Sequence, residues 1–136
     1  MDNNKNTIIL ITGSGAQGGA EKQLLKLVNN INDYFIILIV LTPSERFLKS
    51  IKNKNIKIVH ILNNSLISLF ELKNILKNLQ LNQKFGSLII QGWLPKGNII
   101  AFLISILIRK KNHLIFSHRN SFFLFQSILN QLLLFF

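Results

Sequence analysis

Five short apolar runs, each separated from the next by a polar or helix-like segment, are the feature that most constrains the fold of this chain. Runs that are apolar on both faces are typical of parallel strands buried between two layers of helices. The sequence therefore predicts an α/β domain with a Rossmann-like parallel sheet of about five strands, in the order 3-2-1-4-5, with helices on both faces. The runs are TIILIT (7–12), FIILIVL (35–41), IKIVHI (56–61), LIIQ (88–91) and HLIFS (113–117).

Helices are predicted between these strands. The segment after the first strand carries an apolar stripe at helical spacing, and further helices are predicted at about 45–53, 66–81 and 98–109. No linker divides the chain, so residues 1–136 are interpreted as one domain. The final apolar segment runs to the last residue without a cap, and we expect from it that the domain is incomplete at its C-terminus.

Composition limits the chemistry. The chain has no cysteine, which excludes disulfides and thiolate chemistry, and its five acidic residues are too scattered to form a metal cluster or a carboxylate pair. The net charge of +11 suggests an anionic partner such as a phosphate or an acidic lipid surface, although a lysine-biased composition would give the same charge. No secretory or membrane-spanning segment is recognised, so we expect a cytoplasmic location.

The glycine-rich loop after the first strand allows more than one interpretation. Gly13, Gly15 and Gly18 match the G-x-G-x-x-G pattern of dinucleotide-binding loops. The second strand, however, ends in Leu41-Thr42-Pro43-Ser44, without the acid that would bind a ribose. A Walker loop is excluded because no Lys-Ser or Lys-Thr follows the glycines. An NAD(P)-binding domain stays an alternative.

Three ordered segments suggest another class of protein. GGAEK (18–22), LIIQGWLPKGNIIAFL (88–103) and IFSHRNSF (115–122) together resemble the N-terminal, acceptor-side domain of family-four retaining glycosyltransferases of GT-B architecture. The resemblance implies one half of a metal-independent enzyme that transfers a sugar from a nucleotide sugar to a glycan or lipid-linked acceptor. The family's donor-binding domain has no counterpart here, so the chain alone is expected to be inactive and to bind no cofactor, and its catalytic residue is unknown.

The resemblance also names candidate substrate-binding residues. Gly18 and Gly19 let the backbone approach a ligand at a helix N-terminus, where N–H groups favour anions. Glu21 either contributes to that site or caps the helix. Trp93 either stacks on a sugar ring or packs in the core. Asn98 is either a ligand or, as we favour, the N-cap of its helix.

The remaining candidates follow the fifth strand. His118, Arg119 and Asn120 stand where an anionic or hydroxyl-rich ligand would bind, with solvated loop residues as the alternative. The expected partners are the acceptor and a donor domain supplied by the same gene or a neighbouring chain. A third hypothesis is a basic module peripheral to the anionic inner face of the membrane. We expect no nucleic-acid partner.

Overall fold

The computed structural model describes residues 6–16, 18–61, 74, 77, 87–108 and 111–117. These residues form five strands and three helices. The predicted helix at 66–81 lies outside them except for residues 74 and 77. In chain order the elements are β1 (Thr7–Thr12), α1 (Gly19–Asn30), β2 (Phe35–Val40), α2 (Glu45–Lys49), β3 (Ile56–Ile61), β4 (Leu88–Trp93), α3 (Leu94–Leu107) and β5 (His113–Ser117).

The five strands are parallel and lie in the order β3-β2-β1-β4-β5. The register aligns their carboxyl ends, because Thr12 of β1 pairs with both Val40 of β2 and Trp93 of β4. Trp93 in turn pairs with Ser117 of β5. The chain builds outward from β1 in one direction and then in the other, so the order reverses between β1 and β4. This arrangement creates a crevice at the carboxyl edge of the sheet.

Alternate residues of the central strands face two separate cores. The first core lies against α1 and α2, and the second lies against α3. The α/β class, the parallel sheet and the placement of helices on both faces are therefore confirmed. The first core contains Ile8, Leu10, Ile36, Leu38 and Val40 with Leu24, Val28 and Phe47, and the second contains Ile9, Ile11, Ile37, Ile39, Leu88 and Ile90 with Ala101 and Ile104.

The end of α1 is tied to the chain that enters β3 by asparagine side chains. Asn53 Nδ2 donates to the carbonyl oxygens of Val28 (2.5 Å) and Ile31 (2.6 Å), which lie in and just after the last turn of α1. Asn29 Nδ2 donates to the carbonyl of Ser50 at 3.0 Å. These bonds satisfy carbonyls that a helix end would otherwise leave without partners.

Two helix boundaries differ from the prediction. Helix α2 ends at Lys49, and does not extend to residue 53. Helix α3 begins at Leu94, four residues earlier than predicted, and ends at Leu107. Pro95 is compatible with the first turn of α3, where no N–H is needed. Gly97 lies inside the helix, at a position where α3 packs closely on β1.

Candidate functional site

Two chain segments leave the sheet at the crevice between β1 and β4. One is the glycine-rich loop that follows Thr12, and the other is the start of α3, which follows Trp93 without any intervening loop. Thr12 and Trp93 are paired in the sheet, so both segments start from the same point of its carboxyl edge. Ligands of doubly wound sheets bind at such switch points.

The first half of the glycine-rich loop is bonded to the loop that follows β2. Thr42 Oγ1 donates to the carbonyl of Gly13 at 2.8 Å, and Ser44 Oγ donates to the carbonyl of Gly15 at 2.6 Å. The Gly15 N–H donates to the carbonyl of Thr42 at 2.8 Å. The Gly15 N–H is therefore already bonded within the protein, and it is not free to bind a pyrophosphate.

Gly13 and Gly15 are glycines because the chain is crowded there. A methyl group on Gly13 would stand 2.8 Å from Lys96 Cβ, and one on Gly15 would stand 2.9 Å from the backbone nitrogen of Ser44. No glycine among the described residues has a positive φ, so backbone conformation is not the reason. These distances support the interpretation of Gly13 and Gly15 as packing residues of the loop.

The loop runs into α1 at Gly18 and Gly19. Gly18 is the N-cap of α1 and offers no side-chain hydrogen bond to the first-turn N–H groups. A methyl group on Gly19, the first helical residue, would meet no atom within 4 Å. Glu21, the third helical residue, is buried, and its Oε2 would lie 2.5 Å from a methyl group on Gly18. Its carboxylate thus reaches back over the N-cap, the position of a capping-box acid.

Trp93 is the last residue of β4 and also the N-cap of α3. Its half-buried side chain packs against the core on the α1 side, as the core-packing alternative predicted. The indole Nε1 is buried and has no hydrogen-bond partner among the described residues. The next residue, Leu94, has a φ of 65°, a left-handed conformation that costs about 1–3 kcal/mol outside glycine.

Asn98 lies inside α3, and the prediction that it caps this helix is wrong. The helix starts four residues earlier because its first turn follows directly on β4. Asn98 is 1% exposed, and its Nδ2 donates to the carbonyl of Ser117 at 3.5 Å. Its Oδ1 is buried, and no described residue bonds to it. A methyl group on Gly92 would stand 2.5 Å from Asn98 Cα, so a larger residue at 92 would push α3 off the sheet.

Energetic costs are concentrated in the segment from Gly92 to Asn98. It contains a strained residue, Leu94, and two buried polar atoms, on Trp93 and Asn98, that have no partner in the described part of the chain. Each such atom costs about 1–3 kcal/mol when it is left unsatisfied. Violations of folding rules are expected at functional sites more than elsewhere, so this segment is the second half of the candidate site.

Sequence reasoning missed Lys96. This residue is exposed, and its Cβ adjoins Gly13, which places a cation between the two segments of the crevice. The signal was available in the sequence, since Lys96 follows the end of a predicted strand by a few residues. Thr42 and Ser44, which bond the glycine-rich loop, also follow a strand end. In the sequence they indicated only where the second strand ends.

The predicted site residues His118, Arg119 and Asn120 lie outside the described residues. The residue before them, Ser117, pairs with Trp93 and accepts a 2.7 Å hydrogen bond from Gln91 Nε2 on its Oγ. Ser117 is therefore the last described residue at this edge of the sheet. No group of three potential metal ligands occurs in the described parts of the chain.

The fold and the crevice define a Rossmann-like α/β protein. Comparisons with protein-family models, with curated proteins and with solved structures give no match to this chain. Within residues 6–117, so far as they are described, no helix is both long and apolar enough to cross a membrane. The glycosyltransferase hypothesis therefore depends on the sequence motifs and on the geometry of the crevice.

Proposed function

We propose that this chain is the acceptor-side half of a retaining glycosyltransferase that uses a nucleotide sugar as donor and a glycan or lipid-linked molecule as acceptor. The observation that carries the proposal is Gly19. It has neither a crowded Cβ position nor a positive φ, so nothing in the described part of the fold accounts for a glycine there. A ligand that contacts the start of α1 would account for it.

The crevice supplies groups suited to a sugar and a phosphate. The first-turn N–H groups of α1 and the ammonium of Lys96 would bind a diphosphate, while the Glu21 carboxylate would accept hydrogen bonds from sugar hydroxyls. The proposal further rests on the motifs GGAEK, GWLPKGN and SHRNS. The donor's nucleoside would be bound chiefly by a second domain. No step of transfer is assigned to a residue of this chain.

The alternative of an NAD(P)-binding domain receives less support from the same loop. A dinucleotide site needs free N–H groups along the first glycines and an acid after the second strand. Here the Gly15 N–H is bonded to Thr42, and Thr42 and Ser44 fill the position after β2 with hydroxyls that bond the loop itself.

The test is an NMR titration of the isotope-labelled full chain with UDP, GDP, their glucose and mannose conjugates, and NAD⁺. The proposal expects the amide signals of residues 18–21 and 92–98 to shift with a nucleoside diphosphate or its sugar. Gly19→Ala should abolish these shifts and keep the fold, because the methyl group enters open space on the protein side. Shifts that occur only with NAD⁺, or that survive in Gly19→Ala, would contradict the proposal.

A turnover assay tests the half-enzyme part separately. Residues 1–136 alone should neither transfer nor hydrolyse any of these sugars, since the proposal assigns most of the donor site to a second domain. Turnover by this chain alone, lost in Gly19→Ala, would show that the site is catalytic and that a second domain is not needed. The half-enzyme account would then have to be given up.

A further inference from the structure

Helix α3 exposes a continuous apolar surface that the candidate site does not use. Its members, called the outer stripe, are Ile99, Phe102, Leu103, Ile106 and Leu107. They follow one another at spacings of three, one, three and one residues, so they form a single line along the helix. Phe102 is 50% exposed and Ile106 is 62% exposed. Exposed apolar surface of this extent marks an interaction site.

The outer stripe points directly away from the sheet. The residues of α3 that are buried against the sheet are Gly97, Asn98, Ala101 and Ile104. With 100° of rotation per residue, the buried residues and the outer stripe lie on opposite sides of the helix. No described residue covers the outer stripe, whose members are 37–62% exposed.

The charges around α3 favour one kind of partner for the outer stripe. Lys111, shortly after the end of α3, is exposed. No Asp or Glu occurs in residues 72–136, and the whole chain carries a net charge of +11. A second copy would bring the same positive charge against the same face, which is unfavourable. An anionic surface would gain from both the cations and the apolar side chains.

We propose that the outer stripe of α3 docks the protein on an anionic lipid surface, with the helix parallel to the membrane plane. The side chains of the outer stripe enter the boundary between headgroups and acyl chains, and Lys111, shortly after the end of the helix, contacts the lipid phosphates. The proposal does not depend on the proposed function, because none of the stripe residues faces the crevice.

Co-sedimentation of the full chain with vesicles tests this surface. The protein should bind vesicles of phosphatidylglycerol and phosphatidylcholine at low salt, and should bind much less to phosphatidylcholine alone. The double substitution Phe102→Ser and Ile106→Ser keeps the charge and removes two half-exposed apolar groups. We expect it to weaken partitioning by about thirtyfold.

Two controls separate the outer stripe from charge and from apolar surface in general. Lys26→Gln with Lys54→Gln removes two exposed cations far from the stripe and should weaken binding only a few-fold. Ile115→Ser removes an exposed apolar side chain of β5, where the preceding Leu114 packs on the α3 side, so Ile115 faces the other side of the sheet. This variant should bind as the unsubstituted chain does.

Circular dichroism melting ensures that each variant is folded, and Leu103→Ser with Leu107→Ser serves as a second stripe variant. Equal binding to neutral and anionic vesicles would overturn the proposal. So would unchanged binding by both folded stripe variants. A concentration-dependent dimer that both stripe variants abolish, without vesicle binding by the unsubstituted chain, would overturn it in favour of a second copy.

Discussion

Replacing Gly97 with alanine should destabilise the protein, although alanine is the better helix former. Gly97 lies in the first part of α3, where the helix crosses the backbone of β1. A methyl group there would stand 2.5 Å from the carbonyl oxygen of Ile11 and 3.2 Å from Thr12 Cα. These neighbours are backbone atoms of a buried central strand, so they cannot rotate away. Relief requires α3 to move outward by several tenths of an ångström or more.

The magnitude follows from two opposing terms. Alanine in a helix gains about 1 kcal/mol over glycine. Overpacking a core typically costs about 1–3 kcal/mol, and occasionally more. A contact this short, against backbone, belongs at or above the upper end of that range. The expected net loss in the free energy of unfolding is about 2 kcal/mol, which for a small domain lowers the urea midpoint by about 1 M.

Gly19→Ala is the matched control for Gly97→Ala. The substitution is identical and also lies near the start of a helix, but its methyl group meets no atom within 4 Å. We expect Gly19→Ala to leave the urea midpoint unchanged or to raise it slightly. Equal midpoints for the two variants would refute the argument that close contact of α3 with β1, and not backbone conformation, requires glycine at position 97.

Two further substitutions test how the loops are held. Asn53→Asp keeps the acceptor Oδ1, which bonds the N–H of Asn55, but loses both bonds from Nδ2 to the end of α1. We expect the free energy of unfolding, measured in urea, to fall by about 2 kcal/mol. A fall of less than about 0.5 kcal/mol would contradict this role. Ser44→Ala removes the cap of α2, a 3.2 Å bond from the Phe47 N–H, together with the bond to Gly15. Ser44→Ala should lower the free energy of unfolding by about 1–2 kcal/mol. Ser44→Thr keeps the hydroxyl and should retain most of the stability when both variants are compared by thermal melting.

The architecture could be predicted because its signals are local and repeated. FIILIV is apolar at every position and TIILIT is apolar between its two terminal threonines, and both strands are buried at every position. The stripe of α1 placed Leu24 and Val28 towards the sheet, where they are buried. Such patterns depend on hydrophobic burial alone, and therefore they can be recognised without knowledge of which elements are in contact.

The start of α3 could not be predicted for the same reason. Pro95 and Gly97 favour turns by their intrinsic preferences, so the sequence predicts a helix that begins only at residue 98. Their positions in α3 depend on contact with β1, which is distant in sequence and supplies the surface on which Gly97 packs. The left-handed conformation of Leu94 is likewise imposed by the direct passage from strand to helix. A tertiary contact has overridden local propensity in both cases.

The candidate site could be located from the sequence, but the roles of its individual glycines could not be distinguished. The pattern G-x-G-x-x-G treats Gly13, Gly15 and Gly18 as equivalent, and the structure separates them. The first two are required by crowding, and the third lies beneath the carboxylate of Glu21. Gly19 falls outside the pattern, and yet it is the one glycine of this loop for which neither packing nor backbone conformation gives a reason. Spacing thus identifies a loop that can approach a ligand, whereas the space around each Cβ identifies the residue at which the approach would occur.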